Sequence, residues 1–165
     1  QQSSVVMSVS KILDNTTLTK TISSIKESDK TIVFTNGCFD ILHPGHVAYL
    51  SEAKKLADVL IIGVNSDSSI KRLKGESRPI NNFFFRSTML SALECVTYVV
   101  EFNEDTPLNL IKSISPSILV KGDDYSIDNI VGADFIQSIG GKVTTITFLD
   151  GFSSSSIISK IQGLT

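Results

Sequence analysis

The chain has 165 residues, of which 41% are hydrophobic and 19% charged, a composition typical of a single globular domain. Its net charge of −2 provides no basic surface, which argues against a dedicated nucleic-acid-binding protein. No apolar run approaches the ~18–20 residues that span a bilayer, no signal peptide is recognisable, and the two cysteines make no disulfide framework. We therefore expect a cytoplasmic protein without a membrane or nucleic-acid partner.

Strands and helices are predicted to alternate along most of the chain. Residues 1–29 are predicted to form a tail and a short helix, because Leu18, Ile22 and Ile25 fall on one helical face. Beyond them, strands are predicted at 31–36, 59–64, 97–102, 117–121 and 142–148, and helices at 45–57, 83–95, 106–114, 130–139 and 153–162. The continuous apolar runs at 59–64 and 117–120 are typical of strands buried on both faces of a parallel sheet. Residues 30–165 are thus predicted to be one α/β domain with a doubly wound, Rossmann-like parallel sheet.

The segment between the first predicted strand and the next helix reads TNGCFDILHPGH and contains both histidines of the protein, His43 and His46. A helix N-terminus offers free N–H groups and a partial positive charge, and Gly45 permits close approach of a ligand to the backbone. This pattern indicates a phosphate site. Ordinary helix caps are one alternative. A zinc site is another, but it needs more ligands, and Cys38 and Cys95 lack paired metal-ligand spacing.

Two further segments follow the second predicted strand. The sequence Asn65-Ser66-Asp67 could cap a helix or contact a ligand at the same edge of the sheet. Residues 71–75, KRLKG, and the nearby Arg78 read either as a solvated basic loop or as mobile cations. A phosphoryl-transfer site needs such cations to neutralise the charge that spreads over the phosphates.

Two later segments also lie at element ends. Lys121 and Gly122 end the fourth predicted strand and precede the carboxylates of Asp123 and Asp124, which could accept hydrogen bonds from a nucleotide, bind a metal or form a turn. Four serines, residues 153–156, precede the last predicted helix. They could bind phosphate together with that helix N-terminus, or simply cap it.

Taken together, these motifs resemble the heptose 1-phosphate adenylyltransferase family of ADP-heptose synthesis, within the cytidylyltransferase-like nucleotidyltransferase superfamily. The resemblance covers roughly residues 30–162. Its motifs are TNGCFDILHPGH at 35–46, GVNSD at 63–67, RLKG at 72–75, RPIN at 78–81, ALE at 92–94, EDTP at 104–107, LVKG at 119–122 and DY at 124–125. In some members the activity is the C-terminal half of a protein that begins with a sugar kinase. With no kinase segment in this sequence, we expect the stand-alone form.

The resemblance implies transfer of AMP from ATP to heptose 1-phosphate, giving ADP-heptose, a lipopolysaccharide precursor, and pyrophosphate. A sugar-phosphate oxygen would attack the α-phosphorus directly and in line. The implied catalytic residues are His43, His46 and Lys74. The implied nucleotide-binding residues are Asn36, Gly37, Cys38, Phe39, Gly45, Asp124, Ser154 and Ser155. Further phosphate or substrate contacts are expected at Asn65, Asp67, Lys71, Arg78 and Lys121. Mg²⁺ would be bound through ATP rather than directly by the protein.

Two other functions stay open. One is a cytidylyltransferase acting on an alcohol phosphate such as glycerol 3-phosphate. Such relatives tend to carry an arginine shortly before the serine-rich segment, and residues 148–151 contain none. The other is a non-catalytic nucleotide-binding module, against which the retention of both histidines and Lys74 argues.

Three consecutive aromatic residues, Phe83, Phe84 and Phe85, begin the second predicted long helix. Successive helical positions are about 100° apart, so the three rings cannot all face one core. We expect at least one ring to face a partner or to cover the active site, and we predict a homodimer formed through this segment.

Overall fold

The computed structural model describes residues 11–164. Its centre is one parallel sheet of six strands. The strands are β1 (Ile12–Leu13), β2 (Ile32–Gly37), β3 (Val59–Asn65), β4 (Tyr98–Phe102), β5 (Ile118–Gly122) and β6 (Lys142–Ile146). The α-helices are α1 (Asn15–Glu27), α2 (Pro44–Lys54), α3 (Asp67–Lys74), α4 (Phe83–Ser91), α5 (Leu108–Ile114), α6 (Ala133–Ser138) and α7 (Ser154–Gln162). No helix within residues 11–164 is long and apolar enough to cross a membrane.

Successive side chains of the central strands point to opposite faces of the sheet and pack into two apolar layers, one on each face. Phe34 and Ile61 belong to one buried cluster, while Val33, Leu60 and Ile62 belong to the other. Every residue of β3 is buried, which explains the continuous apolar run at 59–64. The predicted doubly wound α/β fold is confirmed.

The strand order is β1-β4-β3-β2-β5-β6, so the chain reverses its direction of travel across the sheet between β2 and β5. The β2–β3 ladder continues to Gly37 and Val64, whereas the β2–β5 ladder ends at Phe34 and Leu119. Strands β2 and β5 therefore part before their carboxyl ends. The gap is the crevice in which doubly wound sheets bind ligands.

The N-terminal segment belongs to this sheet. The predicted helix is present as α1, and it buries Leu18, Ile22 and Ile25 in the same cluster as Phe34. Strand β1, whose Ile12 and Leu13 pair with β4, was not predicted, because two residues are too few to show a strand pattern. The predicted loose tail, residues 1–10, lies outside the described residues.

The segment that could be read as a basic loop is helix α3. Its N-cap, Ser66, accepts a hydrogen bond from the backbone N–H of Ser69, and its last turn carries three cations that favour a helix C-terminus. Ile70 is buried, whereas Leu73 is exposed. With one buried apolar side chain, the helix shows almost no apolar periodicity, so the sequence did not predict it.

Candidate active site

Both histidines lie at the N-terminus of α2. His43 is the N-cap, and its Nδ1 accepts a hydrogen bond of 3.4 Å from the backbone N–H of His46. The two rings stack with centroids 3.8 Å apart and an interplanar angle of 22°. Because His43 Nδ1 is an acceptor, the neutral ring carries its proton on Nε2 and can donate it to a phosphate oxygen.

The surroundings hold both rings neutral. Burial, and then the positive charges of His43 and Lys74, lower the pKa of His46 to about 4. Burial also lowers the pKa of His43. The Nδ1 atom of His46 is buried without a hydrogen-bond partner among residues 11–164. An unpartnered buried nitrogen is better left unprotonated, so Nε2 is the His46 donor available to a ligand.

Gly45 is required by the packing of the histidines. A Cβ at this position would lie 2.9 Å from Nδ1 of His43 and 3.2 Å from Cβ of Phe152. Any side chain would therefore displace the His43 ring or the start of α7. Gly45 therefore has a steric reason to be glycine in addition to the expected close approach of a phosphate to the backbone.

The N-terminus of α7 lies beside this loop. Ser153 caps the helix by accepting a hydrogen bond from the backbone N–H of Ser156, and Ser154 Oγ donates to the carbonyl of Ile41 at 3.2 Å. The rings of Phe152 and His43 are 6.1 Å apart. Two helix N-termini thus converge on the histidines, and Ser154 and the exposed Ser155 lie at this junction.

The crevice holds two adjoining cavities. The first, here called the nucleotide chamber, has a volume of about 160 Å³. It lies between the carboxyl ends of β2 and β5. Its walls bring together five of the eight predicted nucleotide-binding residues, residues 36–39 and Asp124, with the predicted catalytic His46 and the predicted substrate contact Lys121. Phe39 has a backbone φ of 51°, a left-handed conformation that is uncommon for a bulky residue and often found at functional sites.

Two aromatic residues of this chamber, Tyr49 and Phe148, were not predicted from the sequence. Their rings stack with centroids 5.2 Å apart, and Tyr49 Oη is 2.8 Å from Thr35 Oγ1. Phe148 occupies space that only a glycine leaves open, since a Cβ on Gly122 would lie 1.9 Å from its Cε2. The glycine at the end of β5 indicates that some group approaches the backbone there. The sequence does not show that this group is an aromatic ring more than twenty residues later.

The second cavity, here called the side chamber, has a volume of about 410 Å³. It lies between the carboxyl end of β3, the end of α3 and the loop that follows β4. Asn65 and the exposed Lys74 line it. It shares residues 36–38, Lys121 and Tyr125 with the nucleotide chamber.

Lys121 is at the boundary of the two chambers. Its Nζ donates to the carbonyl of Asn36 at 3.2 Å and lies 5.2 Å from the centroid of the Tyr125 ring. Burial lowers the pKa of Lys121, against the opposing effect of Asp124. The ammonium is thus a partly buried charge between the two cavities.

Three predicted contacts lie outside both chambers. Asp67 forms a 2.7 Å ion pair with Nη2 of Arg86, and Arg78 forms a 3.1 Å pair with the buried Asp40. Lys71 is exposed and lines neither chamber. Their side chains shape the neighbouring loops or face solvent, so none of the three is positioned to contact a ligand in these cavities.

Arg86 is a structural residue that the sequence did not reveal. It is 1% exposed and donates four hydrogen bonds. Their acceptors are the carbonyls of Cys38, Asn65 and Asn81 and the carboxylate of Asp67. A buried guanidinium satisfied in this way fixes the carboxyl ends of β2 and β3 relative to each other.

Residues 11–164 contain no group of three or more histidine, cysteine, aspartate or glutamate side chains placed to hold a metal ion. The zinc alternative for His43 and His46 therefore finds no third ligand among these residues.

Comparison with known proteins adds family and structural relatives. The family model for cytidylyltransferase-like proteins matches residues 34–160. The chain is 52% identical over 140 residues to the bifunctional protein HldE of Geobacter sulfurreducens, covering 85% of this chain and 29% of that protein. It is 56% identical over 141 residues to the bifunctional protein HldE of Campylobacter jejuni subsp. jejuni, covering 86% and 30%. The chain thus spans about three tenths of the length of these relatives.

Among solved structures, the chain is similar to the lipopolysaccharide core biosynthesis protein from Thermoplasma volcanium. The two are 31% identical with a TM-score of 0.61, and the match covers 73% of this chain and 99% of the other.

Proposed function

The chain belongs to the cytidylyltransferase-like family and is a nucleotidyltransferase, and from this premise we propose that it transfers AMP from ATP to heptose 1-phosphate, giving ADP-heptose and pyrophosphate. The observation that carries the proposal is the stacked pair of neutral imidazoles at the N-terminus of α2, of which His46 lines the nucleotide chamber and is close enough to Lys74 for that charge to lower its pKa. Its identity of 52% and 56% to bifunctional HldE proteins supports a heptose phosphate as acceptor. Reliance on ATP supports a cytoplasmic location.

In this mechanism the triphosphate lies over the N-termini of α2 and α7. Nε2 of His43 and of His46 donate to oxygens of the α-phosphate and the leaving pyrophosphate, where negative charge develops. The sugar-phosphate oxygen forms a bond to the α-phosphorus while the bond to the bridging oxygen of pyrophosphate breaks. Lys74 neutralises the phosphates, and Ser154 and Ser155 contact the β- and γ-phosphates.

The adenosine occupies the nucleotide chamber. Asp124 accepts hydrogen bonds from the ribose, and the stacked rings of Tyr49 and Phe148 form an aromatic wall beside the base. Mg²⁺ that arrives with ATP adds charge neutralisation, and triphosphate oxygens and water serve as its ligands, because residues 11–164 offer no carboxylate cluster.

A pyrophosphate-release assay that crosses ATP and CTP with heptose 1-phosphate and glycerol 3-phosphate tests this function. We expect rapid release only from ATP with heptose 1-phosphate. Preferred release from CTP with glycerol 3-phosphate would identify an alcohol-phosphate cytidylyltransferase instead. No release from any pair would leave a nucleotide-binding module, and ATP binding could then be measured by calorimetry.

We also propose a homodimer formed through α4. Phe84 and Phe85 are 65% and 52% exposed, and Met89 is also exposed on this helix. An apolar helix face of this kind is typical of an interface, and a two-fold contact is the commonest way to bury it.

Light scattering should report a dimer for the wild-type protein and a monomer for Phe84→Glu, because the carboxylate would be buried without a partner. Ile139→Glu is the matched control, since Ile139 is 48% exposed and follows α6 rather than α4. A wild type that remains monomeric at every concentration would exclude the dimer. An unchanged dimer in Phe84→Glu would move the interface elsewhere.

A further inference from the structure

The proposed mechanism places ATP in the nucleotide chamber and at the histidines. It leaves the side chamber without a ligand. Its volume of about 410 Å³ falls in the range of small-molecule sites, about 300–1,000 Å³. Residues 36–38 and Lys121 border it and the nucleotide chamber alike. A molecule bound there would thus face the phosphates of a nucleotide bound next door.

The charges at the inner end of this chamber suit a phosphate. Lys74 lines the chamber, and its charge is close enough to His46 to contribute to lowering the pKa of that residue. Lys121 provides a second ammonium at the shared wall. Lys121 would hold an acceptor phosphate at this wall, and Lys74 would neutralise it together with the neighbouring triphosphate, which keeps the acceptor within reach of the α-phosphorus.

The outer part of the chamber suits a sugar. Leu73, Pro107 and Val131 give it an apolar wall, while Asp105 and Thr106 add oxygen atoms. A pyranose presents the same two chemistries, an apolar C–H face and a rim of hydroxyl groups. The carboxylate of Asp105 is the strongest hydroxyl acceptor among these residues.

Asp105 is already oriented. Its Oδ1 accepts a 3.0 Å hydrogen bond from Nε of Arg72, and Nη2 of Arg72 also donates to the carbonyl of Asn103. Oδ2 of Asp105 has no hydrogen-bond partner among residues 11–164. The pair therefore leaves one carboxylate oxygen available, and the guanidinium offsets repulsion between this carboxylate and a bound phosphate.

A third cavity is not a rival site for the acceptor. It has a volume of about 550 Å³ and lies between the start of α1 and the end of β4. Asp14, Glu101 and Glu104 line it, and no lysine or arginine among residues 11–164 does. Burial raises the pKa of Glu101, with a smaller contribution from Asp67 and an opposing one from Arg86. A sugar phosphate would be repelled there.

We propose that the side chamber binds the acceptor sugar 1-phosphate, with Asp105 as the residue that recognises its hydroxyl groups and Arg72 as the residue that positions Asp105. This assignment rests on the proposed function, since it concerns the second substrate of that reaction. Asp105 governs acceptor specificity, whereas the nucleotide is bound independently in the neighbouring chamber.

Steady-state kinetics of Asp105→Ala test the assignment. A hydrogen bond to a charged group accounts for about a 10- to 100-fold change in affinity, so KM for heptose 1-phosphate should rise by that factor. KM for ATP should change less than about twofold. The preference for heptose 1-phosphate over mannose 1-phosphate, which has one CHOH group fewer, should fall. Glu104→Ala is the matched control, because its carboxylate is adjacent in sequence but lines the other large cavity.

Arg72→Ala should raise KM for the sugar in the same direction, and Arg72→Lys should recover part of the loss, which a purely structural role does not predict. The Arg72–Asp105 pair is solvent-exposed, so these variants should fold normally. A wild type inactive with heptose 1-phosphate would contradict the proposed function itself. An active wild type whose Asp105→Ala variant keeps its KM for the sugar, or loses affinity for ATP instead, would overturn only the chamber assignment.

Discussion

His46→Ala is expected to lower kcat by about 10²–10³, the usual effect of removing one preorganised donor to a developing negative charge. The ring is neutral near pH 7, because its surroundings lower the pKa of His46 to about 4, so it acts as a hydrogen-bond donor and not as a cation. His43→Ala should lower kcat by a similar factor. Single-turnover measurements with saturating ATP and acceptor would report the chemical step.

The two variants should differ in stability. His43 caps α2 through Nδ1, so His43→Ala also loses a capping interaction of about 0.5–2 kcal/mol. Nδ1 of His46 has no hydrogen-bond partner among the described residues, so His46→Ala loses only packing of a partly buried ring. Thermal unfolding of both proteins is therefore the control. Near-normal kcat in both variants would remove the histidines from the mechanism.

Lys74→Ala should reduce kcat/KM for ATP by about 10- to 150-fold, since a charge-assisted phosphate contact contributes roughly 1.5–3 kcal/mol. Lys74 is the last residue of α3, lines the side chamber and contributes to the low pKa of His46. We expect kcat to fall as well, because charge on the phosphates is greatest in the transition state.

Lys71→Ala is the matched control for Lys74. Both lysines are exposed on the same short helix, but Lys71 lines neither chamber. The two variants remove the same charge, so a general electrostatic effect of α3 would lower both activities alike. Wild-type kcat/KM in Lys74→Ala would mean that this lysine is only part of a solvated surface.

The fold could be predicted from the sequence because its central strands are uninterrupted apolar runs. Val59–Asn65 is buried throughout, and a short run rich in valine and isoleucine between helices is typical of a strand buried on both faces. Elements that depend on contacts distant in sequence could not be predicted. Strand β1 exists because β4 provides a hydrogen-bonding edge, and α3 is stabilised by its caps and one buried isoleucine.

The same distinction applies to the candidate site. The strand-turn-helix pattern around the histidines is local, so its geometry follows from the sequence. Asp67 and Arg78 were predicted to contact substrate, but their partners, Arg86 and Asp40, are 19 and 38 residues away. Local sequence shows a charged side chain without showing the charge that it meets, so these ion pairs could not be predicted from it.

The hydrogen bonds of Arg86 have a mechanical consequence. They join the ends of β2 and β3, the start of α3 and the residue before the N-cap of α4, which makes this wall of the crevice nearly rigid. Helix α7, beside the histidine loop, has no fully buried residue, and its Ser154 Oγ donates to the carbonyl of Ile41 in that loop. We expect α7 to respond to a bound triphosphate more than the Arg86 side of the crevice does, so hydrogen exchange of the α7 amides should slow when ATP binds. We therefore expect the Arg86 side of the crevice to stay in place while α7 adjusts to the nucleotide.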